Sequence, residues 1–265
     1  FDPKAWYDAG VDFFNLSTHY CSEQTSHGIL LARQQALEAG IYSEITHTTM
    51  TWRMGGKGYD DHQYRRTTKE AMHALANLAY ARGADGISLF NFAYYRPHGG
   101  YLEHKAPFTE PLFENLPPLA DKGALEKMAP AYYFSWQRDN HFPARKKTAE
   151  FKIDMIPAKG NGEALLRLLV LTQEERMNSE REPLKKIDRG QWTVKLNGQV
   201  LEPTQGPDVA YPYPSTIKSG FNNARQYLSF EIPAGTIKDG ANDISVTNTK
   251  VPQPMNLRWL EVIQP

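Results

Sequence analysis

Three clusters of residues have the types and spacing that chemistry needs. The first is a single carboxylate, Glu44, in the run Ile41-Tyr42-Ser43-Glu44-Ile45-Thr46-His47. A glutamate near the end of an otherwise apolar run sits where a buried strand meets solvent. There it can attack an electrophile, take a proton or accept hydrogen bonds from hydroxyl groups. The alternative for Glu44 is an ion pair with Arg53 or Arg96. The second cluster is Ser17-Thr18-His19-Tyr20-Cys21, which follows the apolar run 11–17. The third follows the run 86–92, beginning with Asn91 and continuing as Ala93-Tyr94-Tyr95-Arg96-Pro97-His98-Gly99-Gly100-Tyr101. A surface turn has no need of three tyrosines, whereas a polar cleft uses them for stacking and for hydroxyl hydrogen bonds. Trp52 belongs to a further candidate segment, the Gly-rich stretch 48–66. Its Gly-Gly-Lys-Gly lacks the spacing and the terminal Lys-Ser or Lys-Thr of a phosphate loop. Glu44 is thus the catalytic candidate. His19, Tyr20, His47, Trp52, Asn91, Tyr94, Tyr95 and Arg96 are the ligand-contacting candidates.

These clusters have to be positioned by the elements between them. The runs 11–17, 41–47 and 86–92 alternate with helical patterns, and strand, helix, strand, helix, strand implies parallel crossovers rather than hairpins. Parallel strands present functional residues at their carboxyl ends, where Glu44, Asn91, His19 and Tyr20 all fall. Residues 1–10 form the tail of a helix stopped at Gly10. Ile29, Leu30, Ala32, Ala36 and Leu37 predict a buried stripe on a helix from about 27 to 39, with Gly40 as its breaker. Residues 48–66 are expected as a loop over the site. Thr67 and Glu70 form a capping box for a helix whose apolar face is Ala71, Met72, Leu75, Leu78 and Ala79, closed at Arg82-Gly83. From 107 to 136 the pattern is again helical, broken at Pro117-Pro118.

Beyond residue 148 the period changes to alternation. Strands are expected at 151–156, 165–171, 192–196, 228–232, 243–246 and 257–263, with hairpin or turn signals at Asn197-Gly198 and Lys238-Asp239-Gly240. The fold class is therefore α/β plus all-β. Residues 1–136 form an α/β unit, 137–148 a linker, and 149–265 an antiparallel β-sandwich.

The composition is that of a folded protein of 265 residues. Thirty basic and thirty acidic residues cancel, so nothing in the balance points to nucleic acid or to an anionic membrane. No run reaches the roughly 18 apolar residues of a membrane span. The one cysteine, Cys21, excludes an intrachain disulfide and a Cys-based zinc site.

Three parallel strands with bare edges do not make a stable domain, and a closed (β/α)8 barrel takes about 250 residues. The three units match strands six, seven and eight of a TIM (β/α)8 barrel, with roughly five strands supplied upstream or by a second chain. At this point the residues resemble a known group. Trp6 to Ser17, Ile41 to His47 and especially Ala79-Tyr80-Ala81-Arg82-Gly83-Ala84-Asp85-Gly86-Ile87-Ser88-Leu89-Phe90-Asn91-Phe92 look like the C-terminal half of bacterial glycoside-hydrolase-like barrels related to the clan A retaining enzymes. Trp192-Thr193-Val194-Lys195-Leu196-Asn197-Gly198, followed by Asp239-Gly240-Ala241-Asn242-Asp243-Ile244, is similar to the β-sandwich appended to them.

The resemblance implies a glycosidase acting on a poly- or oligosaccharide by a retaining two-carboxylate mechanism. Glu44 then matches the nucleophile at the end of strand seven, and the acid/base glutamate belongs to the missing N-terminal half-barrel. Retention needs the two carboxyl groups about 5 to 5.5 Å apart, and within this chain only Glu103, Asp60 or Asp61 offer a substitute. Tyr20 or His19 would hold Glu44, Trp52 would stack on a sugar ring, and Asn91, Tyr94, Tyr95 and Arg96 would bind hydroxyls. Arg96 alternatively suits a sulfate or uronate. The expected partners are a carbohydrate and the other half-barrel. No cofactor is expected, and polysaccharide breakdown implies a secreted or periplasmic protein. Two rival readings remain. One is a non-catalytic carbohydrate-binding protein on a degenerate barrel. The other is a metal-dependent hydrolase using His19, His47 and His98, which lacks the His-x-His spacing of such sites. The β-sandwich is expected to act as support.

Overall fold

The computed structural model describes residues 1–18, 24–46, 48–50, 64–90, 92, 113–128, 130–135, 148–160, 162–172, 191–205, 227–249 and 255–265. Helix α1, Pro3–Asp8, starts where the Asp2 carboxylate accepts the Ala5 N–H at 3.1 Å and Pro3 supplies a first residue that has no N–H to satisfy. Gly10, at φ 95°, turns the chain toward strand β1, Phe13–Ser17. Helix α2 (Ser26–Gln35) leads into β2 (Gly40–Thr46), and helix α3 follows the short strands β3 (Thr48–Met50) and β4 (Tyr64–Arg66). α3, Lys69–Ala81, then leads into β5, Gly86–Phe90. The order β1-β2-β5 is parallel throughout, with Ser17 opposite Glu44 and Glu44 opposite Ser88.

Several local expectations are corrected. α2 stops at Gln35, because the Arg33 guanidinium donates to Leu37 O at 2.9 Å and Ala39 O at 3.2 Å, satisfying carbonyls in the non-helical turn that follows. Of the expected stripe, Ile29, Ala32 and Ala36 are fully buried, but Leu30 and Leu37 are 40% and 71% exposed. Gly40 opens β2 instead of capping α2. The cap of α3 is Thr68, whose hydroxyl accepts the Ala71 N–H at 3.3 Å; Thr67 donates to Thr46 O at 3.3 Å. The segment expected as a loop from residue 48 begins and ends as a two-stranded ribbon, Thr48 pairing with Arg66 and Met50 with Tyr64. The helical stretch expected up to residue 136 contains turns at Phe113–Asn115 and Pro117–Ala120 and the short helix α4, Lys122–Leu125. Its end, Ala131–Ser135, is strand β6. That aromatic run suits a pleated surface, and the last strand of the chain offers it a partner.

All six strands expected after residue 148 are present, as β7 (Thr148–Met155), β8 (Ala164–Thr172), β9 (Trp192–Leu196), β12 (Tyr227–Ile232), β13 (Gly240–Asn248) and β14 (Met255–Ile263). They are joined by β10 (Gln199–Val200) and β11 (Glu202–Thr204). Two antiparallel sheets result, β10-β9-β13-β7 and β11-β12-β8-β14-β6. Alternate residues of both point into one apolar cluster: Phe151, Ile153 and Met155 of β7 with Val194, Leu196, Ile244 and Val246, and from the other sheet Leu166, Leu168, Phe230, Ile232, Leu260 and Val262. Side chains of this size contribute roughly 1.5–3 kcal/mol each when fully buried.

The Asn197-Gly198 turn has the positive φ values, 52° and 85°, of a tight hairpin between β9 and β10. It is tied to the 238–240 turn by Asn242, which is fully buried. Asn242 Oδ1 accepts the Lys238 N–H at 2.9 Å and Asn197 Nδ2 at 2.8 Å, and its Nδ2 donates to Lys238 O and Gly240 O. That second turn connects the two sheets, since β12 and β13 lie in different ones.

α3 is buried on two sides. Ala79 packs with the parallel sheet, and Ala74 and Leu78 join the core of the antiparallel sheets. At its end Arg82 makes two hydrogen bonds to the Asp154 carboxylate, at 3.0 and 2.7 Å, and a third to Asp239 at 2.7 Å. The hydrogen bonds that Arg82 donates to Asp154 hold the guanidinium pKa above its ordinary value, against the opposing effect of burial. Beside it Gln24 pairs with the Asp154 backbone in both directions, donating to its O at 2.7 Å and accepting its N–H at 2.8 Å. Among the described residues no helix is long and apolar enough to cross a membrane.

Candidate functional site

The two faces of the parallel sheet differ. Phe14 of β1 and Ile41 and Ile45 of β2 are buried on the side covered by α2 and α3. Ser43 lies on the same side, its hydroxyl 2.7 Å from that of Thr25. By the two-residue period of strands, the opposite face carries Phe13, Asn15 and Ser17 of β1, Tyr42, Glu44 and Thr46 of β2, and Gly86, Ser88 and Phe90 of β5. Phe13 and Phe90 on that face are 50% and 41% exposed, whereas Thr46, two residues beyond Glu44, is buried.

This second face is layered along the strands. Toward the amino ends lies an aromatic layer, with the rings of Phe13 and Tyr42 4.9 Å apart. The Tyr42 ring fills the space that a side chain at Gly86 would take, so β5 can carry only glycine there without displacing the ring. One step toward the carboxyl ends the residues are polar. Ser88 Oγ donates to Asn15 Oδ1 at 2.8 Å, and Asn15 Nδ2 donates to Glu44 Oε2 at 3.3 Å. β1 and β5 are not neighbours, so this bridge runs across β2 from one outer strand to the other.

β2 is in turn fixed to the start of β5. Asp85 N–H donates to Ile41 O at 2.7 Å, while the Asp85 carboxylate accepts the Ile41 N–H at 2.8 Å and Arg33 Nη2 at 2.7 Å. Burial works to raise the Asp85 pKa, but the Ile41 N–H and Arg33 outweigh it, and the carboxyl lies below the ordinary carboxylate range.

Glu44 therefore stands near the carboxyl end of the central strand, as the sequence anticipates, half-buried and held by a donor from the neighbouring strand. His19, Tyr20, His47, Trp52, Asn91, Tyr94, Tyr95 and Arg96 lie outside the described residues, as do His98 and the substitute carboxylates Glu103, Asp60 and Asp61. Among the described residues Glu44 is held by Asn15, and Asn15 by Ser88. Neither is among the candidates that the sequence offers, although both lie in expected strands; the signal that identifies them is the parallel register, which sets Ser88 directly opposite Glu44.

No family model matches the chain, and no curated protein does. Among solved structures it is similar to a beta-porphyranase of glycoside hydrolase family 86 from the human gut bacterium Bacteroides plebeius, at 16% identity and a TM-score of 0.29, over 51% of this chain and 21% of that one. It is also similar to two structures of BuGH86 in complex with neoagarooctaose, at 14% and 12% identity, each with a TM-score of 0.27 over 51% of this chain and 17% and 19% of theirs. The chain thus spans about a fifth of the length of these structures. Likeness at this level bears on neither substrate nor residue roles.

What the described geometry can do follows from Glu44 itself. One carboxylate oxygen is held by an amide, and the half-buried group lies on the sheet face opposite α2 and α3, with polar neighbours above an aromatic layer. Such a carboxylate can act as a nucleophile, as a base, or as an acceptor for ligand hydroxyls.

Proposed function

We propose that the chain is the C-terminal part of a glycoside hydrolase, comprising strands six to eight of a (β/α)8 barrel and an appended antiparallel β-sandwich. Glu44 is the nucleophile of a retaining mechanism. The observation that carries this reading is the position of Glu44 near the carboxyl end of the central parallel strand, on the face opposite α2 and α3, above an aromatic layer and a polar bridge. A barrel interior has that layering, with bulky side chains filling its lower part and functional groups at the carboxyl rim. The exposure of Phe13 and Phe90 fits a face that further strands would cover.

In the first step Glu44 attacks the anomeric carbon as the glycosidic C–O bond breaks. An acid glutamate from the other half of the barrel protonates the departing oxygen. Water, activated by that same group, then cleaves the glycosyl ester and restores Glu44. His19, Tyr20, His47, Asn91, Tyr94, Tyr95 and Arg96 contribute polar contacts to the sugar, and Trp52 stacks on it. The β-sandwich supports the barrel through the Arg82 and Gln24 contacts, and the protein acts outside the cytoplasm.

The test uses the full-length protein against a panel of neutral, sulfated and uronate-containing polysaccharides together with neoagarooctaose, scored by release of reducing ends. Wild type is expected to cleave one member of the panel, and Glu44→Gln to lose about four orders of magnitude in kcat while still binding it. Binding without cleavage in both proteins overturns the hydrolase reading in favour of a carbohydrate-binding protein on a degenerate barrel.

A further inference from the structure

We infer that Asn15, itself fixed by Ser88, is the positioning residue that orients the Glu44 carboxylate, engaging Oε2 and leaving Oε1 to face the ligand. The inference rests on the reading of Glu44 as the reactive group and adds how that group is aimed.

The direction of the bridge is dictated by chemistry. A carboxylate only accepts hydrogen bonds, so Asn15 has to turn its NH2 toward Glu44. Its carbonyl is then left for a donor, and the Ser88 hydroxyl supplies one at 2.8 Å. Were the amide reversed, its carbonyl oxygen would meet the carboxylate, and two acceptors would face each other.

The register supplies the lever. Asn15 lies opposite Tyr42, two residues before Glu44 on the same face, while Ser88 lies directly opposite Glu44. Asn15 thus reaches forward along the face, and Ser88 holds it from the far side of β2. One layer below, the Tyr42 ring occupies the space over Gly86 and packs against Phe13. Each of the three strands contributes one member of the bridge, so the aim of the carboxylate depends on the sheet register rather than on one rotamer. A 3.3 Å bond from a neutral amide is a modest tether. Its effect is directional, and misplacing a reacting atom by about 1 Å is enough to cost up to a hundredfold in rate.

Asn15→Ala, Asn15→Asp, Ser88→Ala and Ser88→Thr are made in the full-length protein. Each is assayed by reducing-end release on the polysaccharide that wild type cleaves, and crystal structures are solved of wild type and Asn15→Ala. The expected result is a roughly tenfold to hundredfold fall in kcat for Asn15→Ala with KM within about threefold. Asn15→Asp should fall further, because it sets a like charge beside Glu44, and Ser88→Ala should fall less. Ser88→Thr, which keeps the hydroxyl, should restore the wild-type rate. In the crystal, the carboxylate should lose its single orientation in Asn15→Ala. An Asn15→Ala enzyme with kcat within about threefold of wild type overturns the inference. So does a fall in KM and kcat shared equally by Ser88→Thr. If wild type cleaves nothing on the panel, the hydrolase reading fails, and the crystal structures decide alone: a Glu44 carboxylate unmoved in Asn15→Ala overturns the positioning role, and a disordered or rotated one sustains it.

Discussion

Arg82 and Asp154, 72 residues apart, meet in a two-pronged ion pair where the end of α3 touches the edge strand β7. Both side chains are largely withdrawn from solvent, at 10% and 14% exposure, whereas the second partner of Arg82, Asp239, is 67% exposed. Among the described residues the α/β unit and the antiparallel sheets are joined by this largely withdrawn charge pair, by Gln24 on the Asp154 backbone, and by the apolar contacts of Ala74 and Leu78.

Arg82→Ala leaves the Asp154 carboxylate withdrawn from solvent without its cation and is expected to destabilise the protein by about 3–5 kcal/mol. Asp154→Ala is expected to cost less, about 1.5–3 kcal/mol, because Arg82 keeps Asp239. Asp239→Ala is expected to cost at most about 1 kcal/mol, since solvent already screens that contact. Urea unfolding of the three variants measures the difference, and equal losses for Asp154→Ala and Asp239→Ala would contradict it.

Asn242 is the hub of the two turns that meet at one end of the antiparallel sheets. Asn242→Ala removes the partner of the Lys238 N–H, of two carbonyls and of one Asn197 N–H, while the Asn197 amide keeps Thr236 O; each lost bond is worth roughly 0.5–1.5 kcal/mol. The expected outcome is loss of cooperative unfolding of the antiparallel part, or a melting temperature lowered by about 10 °C or more. Thermal unfolding followed by circular dichroism reads it.

Tyr132 reports on stability at alkaline pH. Burial pushes its hydroxyl up to about 12, although the Ile156 N–H, which donates to it at 3.1 Å, favours the ionised form. The folded pKa lies above the unfolded one of about 10, so this contribution is complete below about pH 10 and is lost as pH rises through about 12. The loss amounts to about 3 kcal/mol at most. Tyr132→Phe is expected to be less stable than wild type at pH 8 and to lack this alkaline decline, so the two unfolding curves should converge as pH rises.

Much of the fold was legible because its signals are local. Three apolar runs separated by helical periodicity give three parallel strands, and six alternating runs give six strands of the antiparallel sheets. Asn197-Gly198 marks a hairpin because few residues other than Asn and Gly accept two successive positive φ values. What was not legible depends on distant partners. Ala131–Ser135 becomes a strand only because β14 lies beside it, and α2 ends early because Arg33 captures carbonyls beyond it. The same holds at the site. Glu44 stands out as the one carboxylate of the run 41–47, near the end where a parallel strand presents functional groups. Asn15 and Ser88 acquire meaning only when the register sets them around it, because nothing in either residue's own neighbourhood distinguishes it from a solvated strand position.

The central claim is that Glu44 forms a covalent bond to a sugar, and the most direct measurement is peptide mapping by mass spectrometry. The full-length protein is quenched in acid during turnover of the polysaccharide it cleaves. The account predicts a glycosyl adduct on the peptide containing Glu44, absent from Glu44→Gln. An adduct on another carboxylate, or turnover with inversion at the anomeric carbon and no adduct at all, would contradict it.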